Sequence, residues 1–134
     1  MNKKAMIEAI KADGMLCPGK LVNGRVKGCN HVGRCAIGAL LFHGGMTNKE
    51  LQGASSDGYC YKYPDPDEPG SEKGRRIFTE QYGLTNDNIV QVIDGTVRCN
   101  DKFKNAWQDE REHGKSAKQW KQRANAVIRY IRSL

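Results

Sequence analysis

The run Ala36-Ile37-Gly38-Ala39-Leu40-Leu41-Phe42 is apolar or small at every position and is the longest such stretch in the chain. A helix over these residues, entered from Gly33-Arg34-Cys35, is apolar almost all round, and such a helix has to be covered on every side. Gly44-Gly45 follow and stop it. Ala36, Gly38 and Ala39 carry little or no side chain, so a neighbouring element can come close. The run is far short of the roughly 20 residues needed to cross a bilayer. The rest of the chain must therefore wrap around it. The fold expected is mainly α, a compact bundle of short helices around a buried central helix.

Start and stop signals supply the wrapping helices. Asn2 is placed to cap a helix running to about Asp13, with Met6, Ile7 and Ile10 on one side and Gly14 at its end. Thr47-Asn48-Lys49-Glu50 has the capping-box pattern, in which Thr47 and Glu50 each satisfy a backbone N–H of the first turn, and it opens a helix through about Gln52. Ser71 is predicted to cap a segment reaching Tyr82 before Gly83. Thr85 is predicted to cap Asn86 to Asp94, and Asp101 to cap Lys102 to His113 ahead of Gly114. Ser116-Ala117-Lys118-Gln119 is a second capping box and opens a last helix over about 116–134. One β element is on offer: in Lys20 to Lys27, Asn23-Gly24 sits between two short β-favouring runs and signals a small hairpin. From Gly53 to Gly70 the composition turns to Ser, Asp, Gly, Tyr and three of the four prolines. A flexible surface loop is expected over about 53–70.

At 134 residues the chain fits one domain, residues 1–134, whose folding buries roughly two-thirds of the unfolded chain's surface. The start Met-Asn-Lys-Lys-Ala-Met-Ile-Glu carries an acid where a signal peptide needs an apolar stretch, so neither export nor membrane insertion is expected. Five cysteines, Cys17, Cys29, Cys35, Cys60 and Cys99, are an odd number and cannot close into a full set of intrachain disulfides. Both points predict a reduced, cytoplasmic protein.

The net charge of +7 is unevenly spread. Residues 1–97 hold 12 Lys and Arg against 11 Asp and Glu, whereas residues 98–134 hold 10 against 4. An anionic partner is therefore to be sought at the C-terminal quarter. In the last helix Trp120, Ala124, Val127, Ile131 and Leu134 fall on one stripe at 100° per residue. Lys118, Lys121, Arg129 and Arg132 gather with Gln122 and Asn125 on the opposite side. That basic strip is either a binding surface for phosphates or an ordinary solvated face.

Other constellations carry chemistry less sharply. Cys17, Cys29, His31 and Cys35 have the inventory of a Cys3His zinc site but not its tight paired spacing. Packing is the favoured reading, so no cofactor is expected, with a structural zinc as the alternative. Cys35, at a helix N-terminus, could serve as a nucleophile with His31, His43 or His113 as base and Asn100 or Asp101 orienting it. No catalytic signature surrounds it, and binding rather than catalysis is expected. Tyr59, Tyr61 and Tyr63 alternate and, with Lys62, could stack bases or rings, or simply pack the loop down. Lys73, Arg75 and Arg76 near Ser71 would place positive charge by a helix start, where N–H groups attract phosphate.

Gly14-Met15-Leu16-Cys17-Pro18-Gly19 followed by Arg34-Cys35-Ala36-Ile37-Gly38-Ala39-Leu40 resembles an uncharacterised small-protein family of bacteriophages and some bacteria. Its members show a first Cys near a Gly, a Cys-Ala-Leu-Gly-Ala-Leu helix, and an Asn-Asp pair ahead of a final helix. Tyr82-Gly83-Leu84-Thr85, Asn100-Asp101 and the Val127/Ile131 pattern follow in matching order. The long Tyr/Pro loop, the insert after Asn100-Asp101, and Cys29-Asn30-His31 depart from that pattern. The resemblance implies a phage or prophage setting, hence the host-cell cytoplasm, and supplies no activity. The function expected is that of a phage-encoded accessory protein binding a phosphate-bearing partner, whether nucleic acid, nucleotide or a nucleic-acid-associated host complex, with countering a host defence as one role. A Cys-dependent hydrolase centred on Cys35, or an inhibitor of a host protein, are the alternatives.

Overall fold

In the computed structural model, which describes residues 1–17, 21, 32–54, 65–68, 70–101 and 117–134, helix α1 (Lys3–Asp13) starts and stops where its sequence requires. The Asn2 carboxamide accepts the Ala5 N–H at 3.0 Å, and Gly14 ends the helix at φ 78°, a conformation that costs glycine little. Helix α2 (Ala36–His43) is the expected apolar helix, and Ala36 through Leu41 are all buried. Helix α3 (Asn48–Gln52) opens on Thr47 with both capping-box bonds in place. Helix α4 (Ser71–Arg76) runs into a π-helical turn over Ile77–Gln81, and α5 (Ile89–Asp101) and α6 (Ala117–Ser133) follow.

The four longest helices close a ring, with α1 on α2, α2 on α5, α5 on α6, and α6 back on α1. Met6, Ile10, Leu40, Ile93, Val127 and Ile131 fill its centre, each contributing roughly 1.5–3 kcal/mol through burial. The remaining sides of α2 are covered after the π turn. Tyr82 donates from its hydroxyl to the Leu40 carbonyl at 2.6 Å, and the Gln81 amide donates to the Gly44 carbonyl. The Ile77 side chain occupies the place a Cβ on Gly44 would need.

Three boundaries differ from expectation. Ser71 is not the cap of α4: Gly70, at φ 80°, precedes the helix, and the Ser71 hydroxyl bonds to the Asp65 carbonyl and N–H instead. That hydroxyl closes the turn before the helix. The segment expected from Asn86 to Asp94 begins only at Ile89, after a turn in which the Asn88 side chain accepts the Thr85 N–H at 2.8 Å. It then continues to Asp101, so Asp101 ends a helix rather than capping a new one. Gly95 therefore lies inside this helix; it is buried, and a Cβ there would lie 1.8 Å from the Tyr130 hydroxyl. It is a notch that seats α6. Apart from Leu21, the expected hairpin over 20–27 lies outside the described residues, as do residues 55–64, the segment 102–113 and Ser116. Among the described residues an isolated parallel bridge joins Leu16 and Arg34.

Gly38 and Gly95, both buried, differ in what an added Cβ would meet. A Cβ on Gly38 would lie 1.9 Å from the Leu21 carbonyl oxygen and 2.7 Å from its carbon, a backbone that cannot turn aside. At Gly95 the obstacle is a half-buried tyrosine that can swing outward. Gly38→Ala should therefore cost about 3 kcal/mol or more and Gly95→Ala about 1–2 kcal/mol, read from urea unfolding. Equal costs would show that the chain at Leu21 is not held against α2.

Candidate functional site

Cys17, Cys35 and Asn100 meet at one junction. Residues 16–17 run beside residues 34–35, and the Cys17 N–H donates to the Arg34 carbonyl at 2.8 Å. Cys35 then caps α2, its Sγ accepting the Gly38 N–H at 3.5 Å. Asn100 reaches in from the last turn of α5. Its Oδ1 accepts the Ala36 N–H at 2.9 Å, and its Nδ2 donates to the Cys17 carbonyl at 3.1 Å and to Asp101 Oδ1 at 3.3 Å. From the far side α6 holds Leu16 at both backbone groups. The Leu16 N–H donates to the Trp120 carbonyl at 3.1 Å, and the fully buried Arg123 donates to the Leu16 carbonyl at 3.5 Å.

This junction favours packing over catalysis. Burial pushes the Cys35 thiol up to about 11, outweighing the pull of the Gly38 and Ile37 N–H groups. Burial also drives the Cys17 thiol up, Cys35 beside it adds to the rise, and the Arg123 guanidinium opposes it. A nucleophile has to be a thiolate, and near neutrality both groups keep their protons. Both ends of the Asn100 carboxamide are engaged with backbone, at the Ala36 N–H and the Cys17 carbonyl. His43 ends α2 while Cys35 begins it, which separates them by about 12 Å along the axis, and His43 Nε2 lies 3.6 Å from Asp13 Oδ2. His31 and His113 lie outside the described residues. Of the four zinc-type ligands, Cys17 and Cys35 are brought together, while Cys29 and His31 lie outside the described residues. Among the described residues no group of three His, Cys, Asp or Glu is placed to hold a metal ion.

Two buried cations escaped the sequence reading. Arg34 places Nη1 3.2 Å from Asp13 Oδ2, donates from Nε to Asn48 Oδ1 at 3.0 Å, and stacks 3.6 Å over the Phe42 ring. One guanidinium thereby joins the end of α1, the last turn of α2 and the start of α3. An acid at a helix C-terminus opposes the macrodipole, and that mismatch was the available hint that Asp13 has a cation partner. Arg123 stands three residues after Trp120 and four before Val127, inside the apolar stripe, and this register was its only signal.

The outer side of α6 is different. Lys121, Gln122, Asn125, Arg129, Arg132 and Ser133 are all exposed, and the helix contains no Asp or Glu. Among the described residues none of Lys121, Arg129 and Arg132 has an ion-pair partner. The side chain of Lys118 lies outside what the structure describes. The second predicted cluster is engaged internally: Lys73 Nζ sits 3.0 Å from both Glu50 oxygens, and Arg75 donates to Asn86 Oδ1. The Thr47 N–H and then Lys73 hold the Glu50 carboxyl below its ordinary range. Arg76 is the exposed member of the three. Tyr59 and Tyr61 lie outside the described residues.

No family model, curated protein or solved structure matches this chain. No helix among the described residues is long and apolar enough to cross a membrane.

Two outcomes follow from the junction. Asn100→Asp keeps an acceptor for the Ala36 N–H but turns a carboxylate oxygen toward the Cys17 carbonyl beside Asp101, whereas Asn100→Ala only removes the bonds. The aspartate should cost about 3 kcal/mol or more and exceed the alanine, because an unpaired buried charge is worse than a missing group. Denaturant midpoints check the order, and an aspartate variant as stable as the parent would place Asn100 in contact with water. The second outcome concerns pH. The folded state keeps the Cys35 proton between about 9 and about 11 while the unfolded chain loses it. Stability is thus full below about pH 9 and falls as pH rises through that window, by about 1 kcal/mol per pH unit for each such thiol. Tyr82, held up to about 12 by burial, extends the fall. Urea midpoints across this range should decline, less steeply in Cys35→Ala, and a flat profile would mean that water reaches the thiols.

Proposed function

We propose that the protein works by binding a phosphate-bearing partner through the outer face of α6, as an accessory protein rather than a catalyst. The observation that carries this reading is the exposed set Lys121, Arg129 and Arg132 on one side of a helix without a single acid. Every other long helix of the ring contains at least one Asp or Glu or is buried. α1 contains Glu8 and Asp13, α5 contains Asp94 and Asp101, and α2 is covered. A surface made only for solubility mixes both signs, and this one does not. Lys118, in the first turn of the same helix, adds a fourth cation to the sequence of the strip. The resemblance to the phage family agrees with an accessory role and adds no chemistry of its own.

Phosphate contacts release condensed counterions, so affinity for an extended nucleic acid falls with salt at a slope of about 0.7–0.9 per contact. Replacing Lys118, Lys121, Arg129 and Arg132 with Gln should leave the unfolding temperature nearly unchanged, since Gln is a good helix former and the apolar side of α6 is untouched. Binding of a labelled DNA oligonucleotide, followed by fluorescence anisotropy, should weaken on the order of a hundredfold at low salt, and its salt slope should drop by about 3. A quadruple variant that folds and binds like the parent would return the strip to the role of a solvated face.

A further inference from the structure

Resting on the phosphate-binding reading above, we infer that the partner of α6 is duplex nucleic acid, with the outer face of this helix lying in its major groove. At 100° per residue the exposed residues from Lys121 to Ser133 fill an arc of about 120°. Asn125 and Arg129 sit within about 20° of its centre, one turn apart. Lys121 and Arg132 lie along one flank and Gln122 on the other. A helix with its side chains is about 10–12 Å across, which matches a major groove about 12 Å wide. In that groove a central Asn is the side chain that pairs with an adenine edge and a central Arg the one that pairs with a guanine edge. The flanking cations are then left for phosphates, which position without reading.

The alternatives fit the same face less well. Single strands are held by aromatic side chains on which bases stack, yet no aromatic stands on this arc: Trp120 is buried, and the half-buried Tyr130 gives its hydroxyl to the Gln91 carbonyl at 3.3 Å. A free nucleotide needs a concave site that encloses it, and this face is the convex outside of a helix. A membrane surface calls for exposed apolar residues along the helix, whereas the apolar side of α6 is spent on the core, with Val127 and Ile131 fully buried.

The test compares the 134-residue chain on a duplex of about 20 base pairs, on each separated strand and on ATP, and then selects preferred sites from a randomised duplex pool. The duplex should bind at least tenfold tighter than either strand or ATP, and the pool should yield a short preferred site. Asn125→Ala should lower the preference for that site over random duplex roughly tenfold while leaving the salt slope unchanged. Lys121→Gln with Arg132→Gln should instead lower the slope by about 2 and keep the preference. All these positions are exposed, so unchanged unfolding temperatures certify the comparison. Strands or ATP bound as tightly as the duplex would overturn the duplex assignment and leave the phosphate-binding reading standing. An Asn125→Ala variant with undiminished preference would overturn the groove docking, and no binding to any of the probes would overturn both readings.

Discussion

The first N–H groups of a helix cannot be reached by its own carbonyls, and in α2 that end lies inside the protein, where water cannot serve. The Asn100 carboxamide takes the Ala36 N–H and at the same time holds the Cys17 carbonyl, across separations of 64 and 83 residues. An apolar helix can be central only if its polar end is satisfied from outside itself, and here the satisfying group comes from a different helix. That requirement fixes where α5 must end and where the chain at Cys17 must pass. The Cys35 sulfur meets another of these N–H groups. A thiol is a weak acceptor, but it can be buried at far less cost than a hydroxyl or carboxylate, which suits a cap inside a core.

Charge is divided by the fold into two kinds of work. Arg34 and Arg123 point inward, one toward a carboxylate and an aromatic ring, the other toward the Leu16 carbonyl. Buried ion pairs contribute little net stability because desolvation offsets attraction, yet removing one partner is costly. Arg34 thereby joins α1, α2 and α3, and Arg123 joins α6 to Leu16. Lys73 and Arg75 perform a lesser version at the surface by tying α4 to Glu50 and Asn86. What remains unengaged on α6 is therefore a small part of the total positive charge, and it is the part that stands on one arc.

The sequence disclosed what depends on neighbours a few residues away. The Asn2 cap, the Thr47 capping box, the unbroken apolar run of α2 and the Trp120 to Ile131 stripe are all local, and all four appear in the fold. It misled where a residue serves a distant partner. Gly95 is a seat for Tyr130 rather than a terminus, Ser71 belongs to the turn before its helix rather than to the cap, and Arg123 lies in an apolar stripe because Leu16 needs a donor. The cysteine cluster illustrates the same limit. Spacing alone left Cys35 open to metal binding, nucleophilic attack or packing, and what favours packing is burial together with an Asn whose hydrogen bonds are already committed.

The composition of α6 makes sense only if its two sides answer to different requirements. Helices gain from acids in the first turn, yet this one begins with Lys118 and Lys121 and has no acid to offset them, a choice costing on the order of 0.3–1 kcal/mol per misplaced charge at low salt. The buried side, from Trp120 through Val127 to Ile131, holds the helix in place regardless. Packing thus frees the outer residues from any duty to stabilise the helix, and on the proposed binding reading cations that repel one another in the free protein would become favourable with phosphates between them. A ligand that binds only the folded state stabilises it in proportion to its occupancy, so a polyanion bound as proposed above would also offset the mutual repulsion of these cations.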